Sequence, residues 1–375
     1  MQTLDEYIPR PGLSIPIVTI LDADGQILED QQRAAVRFAI QDGAGADVIF
    51  AAGTTGEWDQ IDNPRRQAVA RIAIDECRRA RATAAKKIEA WAGITGHTRA
   101  ETLANLAAAI DARADAAVLA PLSIRDVEHP AKFVERDIGA VYNRAGRVIP
   151  LFLYDNAEIA APGHAPHLHT RDVKEMSRLE YVRGIKVTAS KTVIGNYTRA
   201  ASHFKASHEF AIYAGNAYLI FDLFAPPAGV ADRMRHHWNR YLTQRTRPYG
   251  VVAGPANAMP REWQRGWQVC RSADRELMQL YEKAIEEFRI ASTFKRGRKP
   301  FRATIACLKA ALKELGVIES DAVATGTPAL SRDERIEFST RFAKLREMCA
   351  ETLEHGWVSE SNPRGGARAT ALRHG

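Results

Sequence analysis

The sequence predicts an α/β protein: a (β/α)8 TIM barrel over residues 1–272, followed by a C-terminal three-helix extension over 273–356. Three observations carry this prediction. Eight short β-rich runs alternate with amphipathic helical stretches at intervals of roughly 30 to 40 residues, the rhythm of a βα barrel. The runs are continuously apolar, as strands buried on both faces of a parallel sheet must be. The turn after the first run, Leu21-Asp22-Ala23-Asp24-Gly25, lacks the glycine pattern of a doubly wound nucleotide-binding sheet.

The expected strands span 14–20, 47–52, 88–93, 116–119, 148–154, 182–187, 210–214 and 250–253. The first helix is expected over 30–42, with Asp30 as its cap and Gly43 as its end. Asn63 is expected to cap a second helix through Ala82, with Pro64 at the first helical position, where its missing N–H removes no bond. Residues 226–248 interrupt the rhythm with a basic, aromatic insertion that includes Arg233, Arg235 and Arg247. Its place before the eighth strand assigns it to the N-terminal face of the barrel. Lys295 to Arg302 form a second basic run. Beyond the barrel, helices are expected over 273–291, 300–315 and 332–354, the last opened by a Ser331/Glu334 capping box. Residues 357–375 read as a disordered tail.

At 375 residues, with 46% hydrophobic and 26% charged side chains, the chain is long and apolar enough for a large core, which excludes wholesale disorder. It holds no apolar run of membrane-spanning length, and its first ten residues lack a basic-then-apolar leader. A cytoplasmic protein with no membrane partner is therefore expected. The 52 Lys and Arg exceed the 45 acids, for a net charge of +7. Such an excess attracts nucleic acid or anionic substrates, or is a compositional habit with no ligand behind it. Cys77, Cys270, Cys307 and Cys349 are scattered among helix formers without a Cys-x-x-Cys pair. Buried structural thiols are expected, with no disulfide framework and no metal site.

In a barrel, chemistry sits at the C-terminal ends of the strands. Three such ends stand out. Gly53-Thr54-Thr55-Gly56-Glu57 follows the second strand, where glycines admit a ligand to the backbone and two hydroxyls can bind a carboxylate or relay a proton. The same residues would also serve as a plain tight turn. Tyr154 closes the fifth run with a phenol able to shuttle protons, or to pack beneath a loop. Lys186 lies inside the β-branched run Tyr181-Val182-Arg183-Gly184-Ile185-Lys186-Val187 and reads as the one lysine of thirteen embedded this way. Burying an amine is costly unless it has a partner or a task, and a desolvated amine is more often neutral and nucleophilic, as imine formation requires. An ion-paired or snorkelling lysine is the alternative.

In this order, the residues resemble the dihydrodipicolinate synthase / N-acetylneuraminate lyase superfamily of class I pyruvate aldolases. The resemblance covers nearly the whole chain. It runs through Gly53 to Glu57, Tyr154, Gly184-Ile185-Lys186, Ala214-Gly215-Asn216, and the eighth-strand stretch ending Ala253-Gly254-Pro255-Ala256-Asn257. The late segments Leu308 to Gly316 and Pro328 to Arg335 resemble the family's C-terminal helices. It implies that Lys186 forms a Schiff base with pyruvate or another 2-oxo acid, that Tyr154 is the proton shuttle, and that Thr55 is its relay. Thr54, Thr55 and their amides would hold the carboxylate, with Gly53, Gly56 and Gly254 lining the site. Glu57, Trp58, Asp155, Asn156, Thr188 and Asn216 would line the remainder. No cofactor or metal is implied, because the lysine imine supplies the electron sink. A homo-oligomer, dimer or tetramer, is the expected assembly.

Two departures argue against dihydrodipicolinate synthesis itself. Where those synthases carry an arginine for the aldehyde partner's carboxylate, this chain has Ile159, which cannot make a bidentate contact. Where they insert a tyrosine from a neighbouring subunit, Leu122 and Ser123 stand instead. Thr188, two residues after the lysine, is similar to the sialic-acid lyase branch. The expected activity is a Schiff-base aldolase or lyase acting on a 2-oxo acid, with dehydration of a 2-keto-3-deoxy sugar acid as the alternative. The rivals from other classes are a non-catalytic 2-oxo-acid-binding protein and a nucleic-acid binder acting through Arg233 to Tyr249. Retention of the lysine, tyrosine and threonines opposes the first. Confinement of the basic residues to one loop opposes the second, and no nucleic acid partner is expected.

Overall fold

The computed structural model describes residues 4, 6–82, 86–205, 209–224, 230, 233, 234, 248–272, 274–297 and 299–353. Eight parallel strands close into a barrel in chain order. They are β1 (Gly12–Pro16), β2 (Val48–Ala51), β3 (Glu89–Gly93), β4 (Ala116–Leu119), β5 (Leu151–Asn156), β6 (Val182–Thr188), β7 (Ala211–Ala214) and β8 (Gly250–Val252). Helices α1 (Glu29–Ile40), α2 (Asn63–Ala80) and α3 (Arg99–Asp111) cover the first strands. A helical stretch follows, built of α4 (Pro130–Lys132), a π-helical turn (Phe133–Ile138) and α5 (Gly139–Ala145). Then come α6 (Thr170–Ser177), α7 (Lys191–Ala200), α8 (Ile220–Phe224) and α9 (Pro260–Val269). The predicted (β/α)8 barrel is the fold of this chain.

The first strand ends four residues earlier than the apolar run suggested. Residues 17–20 stay buried, but side-chain amides replace the strand ladder. Asn257 accepts from the Val18 N–H (3.3 Å) and donates to the Pro16 carbonyl (2.7 Å). Gln32 accepts from the Ile20 N–H (2.8 Å) and donates to the Val18 carbonyl (3.0 Å). Buried backbone groups need partners, and here two amides supply them. The fifth strand shifts the other way: Tyr154 lies within it, because Asp155 and Asn156 continue the pairing opposite Val187 and Thr188.

Two caps also differ from expectation. Asp30 lies in the first turn of α1, which has no side-chain cap, and the helix ends on left-handed Gln41, ahead of Gly43. Asp62, not Asn63, caps α2 by accepting from the Arg65 N–H at 3.0 Å. An aspartate one residue upstream reaches the free N–H groups that Asn63, already helical, cannot.

Beyond the barrel lie α10 (Arg275–Ala291), α11 (Thr304–Glu314) and α12 (Arg332–Thr352), and the Ser331/Glu334 capping box is present. A β-hairpin, β9 (Thr293–Arg296) with β10 (Lys299–Arg302), occupies the second basic run. Pro300 therefore sits in a two-stranded edge, where a missing N–H is tolerated, and α11 starts at Thr304. The C-terminal helices share one apolar cluster with the barrel shell. Phe288, Phe338 and Phe342 join α10 to α12, with ring centroids 5.5 to 6.4 Å apart. All four cysteines are buried and outside any disulfide, and burial pushes the Cys270 and Cys307 thiols up to about 12. Most of the 226–248 insertion and all of the 357–375 tail lie outside the described residues. Among the described residues, no helix is long and apolar enough to cross a membrane.

Inside the barrel, aromatic side chains fill the N-terminal half. Trp91 stacks on Phe152 (4.3 Å) and meets Tyr213 edge-on (5.1 Å). Glu89 accepts from Trp91 Nε1 and from the Tyr7 hydroxyl, both at 3.1 Å. The lumen is a packed floor below and a polar mouth above.

Candidate active site

Residues two apart on a strand face the same way, so Phe152, Tyr154 and Asn156 share one face of β5. Gly184, Lys186 and Thr188 share one face of β6. The parallel register sets Tyr154 beside Lys186 and Asn156 beside Thr188. Lys186 is buried, and its Nζ lies 3.8 Å from the centre of the Tyr154 ring and 5.0 Å from that of Phe50. Close approach of β7 depends on Gly215. A Cβ there would fall 2.1 Å from Thr188 Oγ1 and 3.1 Å from Lys186 Cε.

Three side chains converge on the Tyr154 hydroxyl. Thr54 Oγ1 is 3.1 Å away, Asn156 Nδ2 donates at 3.2 Å, and Thr188 Oγ1 donates at 3.4 Å. Burial alone would raise the phenol above its ordinary 10.0. The Lys186 charge, with hydrogen bonds from Thr188, Thr54 and Lys186, outweighs burial and brings it below that value. A phenol eased toward ionisation, in contact with an amine, is suited to moving a proton to or from a group held on that amine.

The hydroxyl that meets the phenol stands one position before Thr55, the residue expected there. The hydroxyl on the phenol belongs to Thr54, whereas Thr55 packs toward the eighth-strand turn, 3.1 Å from where a Cβ on Gly254 would stand. The turn carrying both is tightly built. A Cβ on Gly53 would enter the Phe50 ring at 2.6 Å, and the Gly56 carbonyl accepts from Thr19 Oγ1 at 2.6 Å.

Lys186, Tyr154, Thr54, Thr188 and Asn156 thus form one cluster. Thr55 and Gly254 lie beside it, and Asn216 follows β7 at the same rim. Other expected lining residues face elsewhere. Glu57 is fully buried and pairs with Lys309 Nζ at 2.5 Å. Trp58 packs on His97 (5.4 Å) under the Arg66 guanidinium. Asp155 accepts from the Leu168 N–H and bonds His167 Nδ1, both at 2.8 Å, tying down the loop after β5. Ile159 packs against the inner cluster that contains Tyr154, and Ala161 N–H bonds the Leu122 carbonyl at 2.8 Å. Both departures from the synthase pattern therefore stand in loops joined at the mouth.

Two features go beyond the sequence reading, which gave Asn156 only as a lining residue and did not single out Lys309. The Asn156 amide on the phenol follows from its i+2 spacing after Tyr154. Lys309, on a helix and so outside the β-branched pattern that singled out Lys186, is just as buried. Among the described residues, no group of three His, Cys, Asp or Glu side chains is placed to hold a metal ion.

A sequence model of the Dihydrodipicolinate synthetase family matches residues 10–118. No curated protein matches the chain. Solved structures share the fold at low identity. Dihydrodipicolinate synthase from Bacteroides thetaiotaomicron is 20% identical with a TM-score of 0.70, over 90% of this chain and 99% of that one. A catalytic lysine mutant of Ruminococcus gnavus sialic acid aldolase is 16% identical with a TM-score of 0.68, over 93% and 98%. An E. coli K12 prophage protein of the dihydrodipicolinic acid synthase family, in complex with pyruvate, is 20% identical with a TM-score of 0.67, over 90% and 99%.

Proposed function

We propose that this chain is a Schiff-base-forming class I aldolase or lyase of the dihydrodipicolinate synthase / N-acetylneuraminate lyase superfamily, acting on a 2-oxo acid. The observation that carries this reading is the contact of Lys186 Nζ with Tyr154, whose hydroxyl is held by Thr54, Asn156 and Thr188. The family match over 10–118 and the shared fold support it.

In this reading the neutral Lys186 amine adds to the ketone carbon, and the carbonyl oxygen departs as water after protonation through Tyr154. The Tyr154 phenolate then takes the proton of the hydroxyl on the far carbon, the C–C bond breaks to release that fragment as an aldehyde, and its electron pair passes to the iminium, leaving an enamine. Protonation of the enamine carbon and addition of water release pyruvate and restore the amine. Thr54 takes the relay role first expected of Thr55, and the Thr54–Thr55 turn offers hydroxyls and amides to the carboxylate. The lysine supplies the electrophile, so the sequence of steps calls on no cofactor. Ile159 removes the carboxylate anchor of the synthases, and the reading therefore assigns a different second substrate. A homo-oligomer accompanies this reading, to be measured by native mass spectrometry.

The test is reductive trapping. Incubation with pyruvate and borohydride is expected to add a reduced pyruvyl group to the peptide carrying Lys186 and to leave Lys186→Ala unlabelled. No adduct, or an adduct on Lys191, overturns the assignment. Pyruvate release across 2-keto-3-deoxy acids, sialic acids and benzylidenepyruvates then ranks the second substrate.

A further inference from the structure

We propose that the buried pair of Glu57 and Lys309 is a positioning device, through which the C-terminal helical region holds the 53–57 turn, and the Thr54 hydroxyl on it, in register with Lys186 and Tyr154. The inference rests on the imine reading above and adds to it that helix α11 belongs to the catalytic apparatus.

The turn does not hold its shape by local preference. Ala52 (φ 53°) and Glu57 (φ 57°) bracket it, and both are left-handed although neither is glycine. Side-chain-bearing residues keep that conformation only where the surroundings impose it. At Glu57 the side-chain contacts come from more than 250 residues downstream, beyond the bond from Thr19 to the Gly56 carbonyl. Glu57 faces Lys309 Nζ at 2.5 Å and accepts from the Ala324 N–H at 2.7 Å, while Lys309 also donates to the Ala322 carbonyl at 2.7 Å. Neither side chain has any solvent exposure. The segment that supplies these contacts is itself fixed to the barrel. Ser320 Oγ donates to the Leu21 carbonyl (2.6 Å), and Gln31 accepts from the Glu319 N–H (2.8 Å).

A buried ion pair is a poor source of net stability, because an apolar pair of similar shape often stabilises as well or better. What the charged pair adds is direction. Two carboxylate oxygens with two fixed partners define the rotation of Glu57, and the Glu57 N–H closes the turn on the Thr54 carbonyl at 3.1 Å. One further step along the same residue is the Thr54 hydroxyl on the Tyr154 phenol.

The experiment uses the full chain with pyruvate alone, so that no second substrate is needed. Borohydride trapping reads imine formation, and exchange of the pyruvate methyl hydrogens in deuterium oxide, followed by proton NMR, reads the enamine step. Glu57→Gln and Lys309→Met are each expected to trap pyruvate on Lys186 as the unmodified chain does. Each is expected to exchange about 10- to 100-fold more slowly at saturating pyruvate. The pH limb belonging to Tyr154 is expected to move upward, because the Thr54 hydrogen bond no longer favours the phenolate. The double variant Glu57→Gln/Lys309→Met is expected to recover the thermal midpoint but neither the exchange rate nor the limb. It decides the question alone if a single variant does not fold. Folded variants with full exchange and an unmoved limb overturn the proposal, and so does full exchange in the double variant. An unmodified chain that traps no pyruvate overturns the imine reading itself, a failure distinguished by its independence of Glu57 and Lys309.

Discussion

Tyr154 and Tyr213 are both buried in the same lumen, yet their phenols are displaced in opposite directions. At the floor, burial lifts Tyr213 far above its ordinary 10.0, and the nearby Glu89 lifts it further. At the mouth, burial acts on Tyr154 in the same sense, but the Lys186 charge and three hydroxyl or amine partners outweigh it. Desolvation is shared, so the neighbouring charge decides which phenol can trade a proton. An aromatic layer beside a carboxylate makes an inert plug. The same aromatic chemistry beside an amine makes a candidate acid–base pair.

The comparison breaks most severely at its cation. Lys186→Ala is expected to abolish pyruvate trapping and to cut turnover on the order of 10^4-fold or more. It should also convert Tyr154 into a second Tyr213, its phenol moving above the ordinary value in an ultraviolet titration. A Tyr154 that still ionises below that value would show that the amine is not the cause. Next in size, Tyr154→Phe should slow methyl exchange by about 10^2- to 10^4-fold and slow imine formation too, with pyruvate still trapped on Lys186 after long incubation.

The floor supplies the converse test. Burial raises the Glu89 carboxyl above its ordinary 4.5. An acid raised in the folded state binds its proton more tightly there than in the unfolded chain. Stability is therefore greatest below 4.5 and declines as pH climbs through the raised value. Glu89→Gln, which can still accept from Tyr7 and Trp91, should flatten that decline in thermal midpoints measured across pH, with trapping at Lys186 unchanged. Loss of trapping would deny that the two ends of the lumen are independent. The smallest effect is expected for Thr188→Val, which removes one hydrogen bond from the Tyr154 hydroxyl. At about 1 kcal/mol this is roughly a fivefold loss of exchange, with a small upward move of the same pH limb.

The barrel was legible because parallel strands buried on both faces must be continuous apolar runs, and eight of them stand at even spacing. Strand ends were less so. Residues 17–20 read as strand because they are as buried as one, and nothing local shows that Asn257 and Gln32 take over their backbone groups. The β9–β10 hairpin was hidden because its residues are basic and Pro300 reads as a helix start. Lys186 was visible because a charge in a β-branched run is conspicuous. Lys309 was not, because a lysine at helical spacing looks the same whether its face meets water or Glu57. Thr54 and Thr55 are adjacent and chemically identical, so only the path of the turn separates the one on the phenol. The positive φ of Glu57 leaves no mark on the sequence, and its place after a glycine turn made it look like a pocket residue.

Asn257 has a consequence for how the ring of strands stays shut. β8 contributes only three residues, the fewest of the eight, and it is the strand that meets β1 to complete the circle. Above that short seam one more backbone bond, from the Ala253 N–H to the Ser14 carbonyl at 2.9 Å, continues the pairing, and one amide extends it by bonding Pro16, Val18 and Gly254. A barrel has no edge strand only while its last junction holds. Here the junction between the first and last strands, the longest closure among the eight strands, is reinforced by a single side chain at its upper end. It is the natural place for the cylinder to part first, so amide exchange at Val18 would report its breathing before any other rung gives way.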